Sequence, residues 1–91
     1  MKSVATKRFW DCFDSLPVHA QRQARTAFAL WQADPGHRSL AFKRIQGRHA
    51  IVSVRVGRHW RAVGGQEGDT VIWFWIGSHA EYDGLLARLR F

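Results

Sequence analysis

Five side chains in this sequence have the types and spacing for phosphate chemistry: Lys43, Arg55, Arg61, His79 and Tyr82. Arg55 and Arg61 flank Gly57-Arg58-His59, which reads as a hairpin turn. A three-residue loop over 57–59 pairs Val56 with Trp60 and sets Arg55 directly opposite Arg61. Like charges facing each other across two strands are destabilising, so such a pair is tolerable when an anion sits between them. A two-residue loop would shift the register and put the two arginines on opposite faces, and the sequence allows both. The blander role is an arginine that caps carbonyls or pairs with Asp83 or Glu81.

His79 stands where an apolar strand meets a closing helix. Its ordinary pKa range suits an acid or base near neutral pH, and its simpler role is packing or capping at a helix start. Gly77 just before it leaves room for something to approach the backbone. Tyr82 can offer its hydroxyl to a phosphate or its ring to an unpaired base, or it can simply pack in the core. Lys43 and Arg44 alternate along a strand, so one faces each side and either can hold a phosphate. Glu81 is accounted for by a capping box with Ser78. Other chemistries find no support. The scattered histidines and single Cys12 lack zinc-ligand spacing. No carboxylate cluster suits Mg²⁺, no acidic pair suits a glycosidase, and Gly64-Gly65 lacks the strand-to-helix context of a phosphate loop. No metal and no cofactor are expected.

The elements that must position these residues follow from periodicity. Phe9, Phe13 and Leu16 fall at helical spacing between Thr6 and Leu16. After the break at Ser15-Leu16-Pro17, Ala20, Ala24, Ala27, Phe28 and Trp31 form the apolar stripe of a second helix, which Asp34-Pro35-Gly36 stops. The short break predicts an antiparallel helical hairpin facing one sheet. Strands are predicted at 40–45, ending near Gly47, then at 50–56, 60–63 and 70–76, with 64–69 as a turn. Trp73 and Trp75 should project from one face of the last strand, as core or interface rather than base-stacking platforms. Tyr82, Leu85, Leu86 and Leu89 make the stripe of the closing helix. The expected fold is α+β: an N-terminal helical hairpin on an antiparallel sheet of about four strands, with a short C-terminal helix, in one domain spanning 1–91.

Composition sets the class of partner. The chain has 91 residues, five of them Trp and six Phe, which is too aromatic for a solvated coil and enough for one core. No apolar run approaches the ~20 residues of a membrane helix. The opening residues lack the apolar stretch of a secretory signal, and the lone cysteine weighs weakly for a reducing compartment, so a cytoplasmic location is expected. The net charge is +7, and eleven of fourteen basic residues are Arg, whose planar fork matches phosphate and carboxylate. Residues 38–61 carry seven bases and no acid, so the middle third holds the excess. A polyanion or an acidic protein is the partner this favours, against the plainer reading of a solvated basic face.

Three segments bear a family resemblance: Ser39-Leu40-Ala41-Phe42-Lys43; Ser53-Val54-Arg55-Val56-Gly57 leading to Trp60-Arg61-Ala62-Val63; and Trp73-Phe74-Trp75-Ile76-Gly77-Ser78-His79-Ala80-Glu81-Tyr82-Asp83. Together with the order of elements, they resemble the RelE/ParE-type toxins of bacterial type II toxin–antitoxin systems over nearly the whole chain. The resemblance implies a small toxin neutralised by a cognate antitoxin, with an acidic, partly disordered segment that folds over the basic face. RelE-like members cleave mRNA on the ribosome, and ParE-like members poison DNA gyrase. It also implies catalytic positions at Lys43, Arg55, Arg61, His79 and Tyr82. From the basic middle third, Arg44, Arg48, Arg58 and His59 are expected to contact RNA. His79 stands where other members use a different basic residue, and the hairpin lacks an obvious catalytic carboxylate. A metal-independent mRNA endonuclease is therefore the leading expectation. A gyrase inhibitor, or a decayed toxin kept as antitoxin partner and co-repressor, is the alternative.

Overall fold

The structure is a computed structural model and describes residues 1–45 and 50–88. Arg48, His49 and the strand end near Gly47 lie outside the described residues, as does Leu89. The elements run β1 (Lys2–Ala5), α1 (Lys7–Asp14), α2 (Val18–Ala33), β2 (Lys43–Arg44), β3 (Ile51–Val56), β4 (Trp60–Glu67), β5 (Thr70–Ser78) and α3 (His79–Arg88). Among the described residues the sheet has five strands in the order β1-β5-β4-β3-β2. All its pairings are antiparallel except β1 with β5, which is parallel. The α+β order of elements agrees with expectation, and the parallel edge strand is an addition to it. β1 is held by Lys2 N donating to Asp69 O at 2.7 Å and Thr6 N to Trp73 O at 3.0 Å. The Trp73 indole also donates to Ser3 Oγ at 2.9 Å.

α1 starts at Thr6, whose hydroxyl accepts from Phe9 N at 3.2 Å, and α2 starts after Pro17. Both helices cover one sheet face, α1 over β5 and α2 over β3. Ala20, Ala24, Ala27 and Trp31 are buried, but Phe28 is 42% exposed and stacks on Trp31 from the flank of the stripe. Trp31 meets Trp73 edge-on at 5.4 Å and Phe42 at 5.8 Å. Such pairs add ~0.5–1.5 kcal/mol each beyond their buried area. An apolar cavity of about 370 Å³ lies between these helices, with Phe9, Trp10 and Phe28 among its walls. α3 covers the other face, where Val63, Trp75, Tyr82 and Leu85 form a second core cluster.

Two strand limits and one register differ from the periodic reading. Only Lys43–Arg44 of the segment 40–45 is strand. Ahead of it, His37 Nδ1 accepts from Ser39 N and caps a single 3-10 turn at Arg38–Leu40, after which Ala41 takes a left-handed φ of 43°. β4 runs on through Gly64 and Gly65, so the turn shrinks to Gly68-Asp69. Gly64 is required by packing: a Cβ there would lie 2.8 Å from Ile72 O and 3.0 Å from the Trp73 ring. Finally, Val63 pairs with Trp75 while Gly64 pairs with Trp73, leaving Phe74 as an extra residue in β5. This bulge sends Trp73 to the α1/α2 core and Trp75 to the α3 core, so the two do not share a face.

Candidate active site

The hairpin takes the three-residue form. Val56 pairs with Trp60 and Arg55 with Arg61, and Gly57 supplies the left-handed φ of 59° that the turn requires. The next row toward β2 is Lys43 opposite Ser53 and Ser53 opposite Val63. Residues directly opposite in antiparallel strands project to the same face, so Lys43, Ser53, Arg55 and Arg61 all lie on the α3 side. Arg44 alternates to the α1/α2 side, away from them.

Arg61 is 5% exposed. Its Nη2 donates to Ser53 Oγ at 2.9 Å, and its guanidinium carbon lies 5.0 Å from the centre of the Tyr82 ring. Tyr82 is also buried, and its hydroxyl donates to the same Ser53 oxygen at 3.3 Å. Ser53 is fully buried, so one serine oxygen ties the arginine of β4 to the tyrosine of α3. Among the described residues Arg61 Nε has no hydrogen-bond partner and no carboxylate pairs with this guanidinium. Burial pulls the Arg61 pKa below its ordinary value. Tyr82 opposes that shift and the like charge of Arg55 adds to it. Arginine stays protonated at any working pH, so the result is a desolvated positive charge with donor capacity to spare.

His79 opens α3. Its backbone N donates to His59 O at 2.8 Å, which fixes the helix start to the hairpin turn. The capping box forms in both directions, with Glu81 N donating to Ser78 Oγ at 3.1 Å and Ser78 N to Glu81 Oε1 at 3.0 Å. The His79 side chain is 60% exposed, with Nδ1 3.7 Å from Asp83 Oδ2. Its ring meets that of Tyr82 edge-on at 5.9 Å. His79, Tyr82, Arg61 and Ser53 are therefore contiguous, with Arg55 exposed beside Arg61 and Lys43 exposed one strand over. Arg58 and His59 are exposed in the turn. The gap at Gly77 is filled by Trp75, whose indole would be 2.6 Å from a Cβ there.

Among the described residues neither arginine pairs with Glu81 or Asp83, since Glu81 caps the helix and Asp83 lies beside His79. Sequence reasoning passed over Ser53, although a signal was present. In Val52-Ser53-Val54-Arg55-Val56 the polar residues alternate with valines, which marks one face of β3 as polar. Among the described residues no three His, Cys, Asp or Glu side chains come together as a metal site.

Comparison with known proteins gives one family match: residues 18–84 fit the model of the ParE-like toxin domain. No curated protein sequence matches. Among solved structures, RelE in the RelB–RelE antitoxin–toxin complex of Methanococcus jannaschii superimposes with a TM-score of 0.72 at 20% identity, over 90% of this chain and 96% of that one. The isolated E. coli RelE toxin gives 0.65 at 12% identity, over 97% of both chains. The YoeB/ParE toxin from Agrobacterium tumefaciens gives 0.65 at 17%, over 87% of this chain and 99% of that one. At these identities the likeness is one of fold.

Proposed function

The chain belongs to the ParE-like family of toxin domains, the RelE/ParE-type toxins of type II toxin–antitoxin systems, and from that premise we propose that it is an mRNA endonuclease that needs no metal. The observation that carries this reading is the buried, carboxylate-free Arg61, paired across the hairpin with Arg55 and reached through the Tyr82 ring from His79. RNA can be cut by its own 2′-hydroxyl. The 2′-oxygen attacks the adjacent phosphorus, the bond from phosphorus to the 5′-oxygen breaks, and the products are a 2′,3′-cyclic phosphate and a free 5′-hydroxyl. One proton must leave the 2′-oxygen and one must reach the departing 5′-oxygen. The phosphorane in between carries extra negative charge, which a fixed arginine in a desolvated setting stabilises strongly. In this reading Arg61 and Arg55 hold the phosphate and His79 carries a proton. Lys43 adds charge from the neighbouring strand. Tyr82, with its hydroxyl committed to Ser53, orients Arg61. Arg44, Arg58 and His59, together with Arg48, are left to longer-range contact with RNA, on the ribosome or elsewhere.

Gyrase inhibition without hydrolysis is the second reading. It is favoured by the same hydrogen bonds, because Arg61 and Tyr82 are both occupied by Ser53 inside the fold. The two separate on induction of the protein alone in bacteria, with protein and DNA synthesis followed within minutes. A nuclease stops translation at once, and His79→Ala lowers the cleavage rate ~10²-fold or more. Continued translation with DNA damage, unrelieved by His79→Ala, sinks the nuclease reading.

A further inference from the structure

The fold holds Arg61 where a phosphate cannot grip it. The residue is 5% exposed, its Nη2 donates to Ser53, and its Nε is buried. A bidentate contact with phosphate needs a whole edge of the guanidinium fork in the open. Some part of the enclosure must therefore move before the anion arrives. On one side the enclosure is the sheet, where β3 and β4 are paired without interruption from Ile51–Gly65 to Val56–Trp60. On the other side it is α3, whose Tyr82 ring centre lies 5.0 Å from the guanidinium carbon. The two sides are not equally firm. α3 has ten residues, too few for a helix to persist in water without packing. Its buried side chains among the described residues are Tyr82 and Leu85. Gly84 stands between them, exposed, with open space where a Cβ would be, and glycine weakens a helix interior. The start of α3 is fastened more tightly, by His79 N donating to His59 O at 2.8 Å and by the Ser78–Glu81 capping box.

We propose that α3 is a hinged lid over Arg61, fastened at Ser78–His79, and that a phosphodiester of RNA takes the place of the Tyr82 ring when the lid lifts. The inference rests on the nuclease reading above and adds a control to that site. A pivot at the helix start keeps His79 beside the hairpin turn while Tyr82 withdraws from Ser53. The uncovered guanidinium then faces the anion together with Arg55, its exposed neighbour across the ladder. The seated lid makes the free protein a weak binder, because apparent affinity is reduced by the fraction of molecules that are open. Loosening the seat of α3 thus strengthens binding, the opposite of what loss of a purely structural helix does.

The test titrates a fully 2′-O-methylated, uncleavable RNA of about four nucleotides and follows hydrogen exchange of the α3 amides in parallel. Leu85→Ala, which removes a buried anchor of the lid, should tighten binding about 5- to 10-fold by raising the open fraction. Gly84→Ala, which favours the seated helix without a clash, should weaken it about 3-fold. Both changes should vanish in an Arg61→Met background. Saturating oligomer should speed exchange of the amides after Tyr82, since a short helix off its seat loses protection. Slower exchange there on binding, or a folded Leu85→Ala protein that binds no tighter, would overturn the lid. So would persistence of both changes without Arg61, or no binding by any variant. If Leu85→Ala does not fold, Gly84→Ala decides, and binding as tight as wild type counts against the lid. Faster α3 exchange on binding, without cutting of the matching unmodified RNA, would leave the lid standing and remove the nuclease reading. Cutting with the α3 amides protected throughout would remove the lid alone.

Discussion

A guanidinium taken out of water with one serine oxygen for a partner is held against its own solvation. Burying a charge without a counter-charge costs stability, and replacing buried ionic groups by apolar ones of similar size is often neutral or stabilising. Arg61→Met should therefore leave the urea midpoint unchanged or raise the unfolding free energy by about 1 kcal/mol. Ser53 and Tyr82 keep their own hydrogen bond in that variant. RNA cleavage by Arg61→Met should fall ~10²-fold or more, as expected when a preorganised charge is lost. A large loss of stability alongside the loss of activity would make Arg61 a structural residue instead. The sign of its pKa shift agrees: folding lowers the pKa of a base, so the charged form is penalised below that pKa and the penalty ends only above it. Since arginine does not deprotonate in the working range, this term is constant and adds no step to stability against pH. At this scale the sequence disclosed two arginines flanking one turn but left open whether they face each other, because a change of one residue in turn length moves one of them to the other face. It did not disclose that Arg61 is buried, which depends on α3 packing over β4 from another part of the chain.

The elements show where local pattern stops being informative. The stripes of α1 and α2, the hairpin at 57–59 and the capping box of α3 were legible because each is set by residues within one or two turns of each other. β1 was not, since four residues with alternating exposure become a strand only against β5, about seventy positions away. The bulge at Phe74 was hidden for a related reason. An apolar run such as Val71-Ile72-Trp73-Phe74-Trp75-Ile76 has no polar residue to mark which side chain is the extra one. Gly64 is the residue that admits it. Gly64→Ala should cost ~2–3 kcal/mol in urea unfolding, since the new Cβ meets the backbone oxygen of Ile72 and the Trp73 ring. Gly65→Ala, with open space around its Cβ, should cost less than ~1 kcal/mol. Equal costs would mean that the tight approach at Gly64 does not hold the bulge.

Across the whole molecule, the two sheet faces have different characters. One is apolar under α1 and α2, where Trp10 and Phe28 are 45% and 42% exposed at the cavity. The other carries the arginine pair under α3. A net charge of +7 should draw an acidic antitoxin by long-range attraction. Raising salt from low to about 0.5 M, where the screening length falls to a few ångströms, should weaken that complex markedly and mainly through slower association. A tight complex indifferent to salt would instead put its energy on the apolar face. Where β5 sits in the sheet has a further consequence, for the moment at which the protein becomes dangerous. β5 separates β1 from β4, and it leads directly into the helix that carries His79 and Tyr82. The first strand to be synthesised waits for the last before it has a neighbour. No partial chain that stops short of residue 78 can close the sheet or seat Tyr82 on Ser53. Assembly at long sequence separation thus works as a timer: the sheet and the contact of Tyr82 with Ser53 can form only after β5 and the start of α3 have been made.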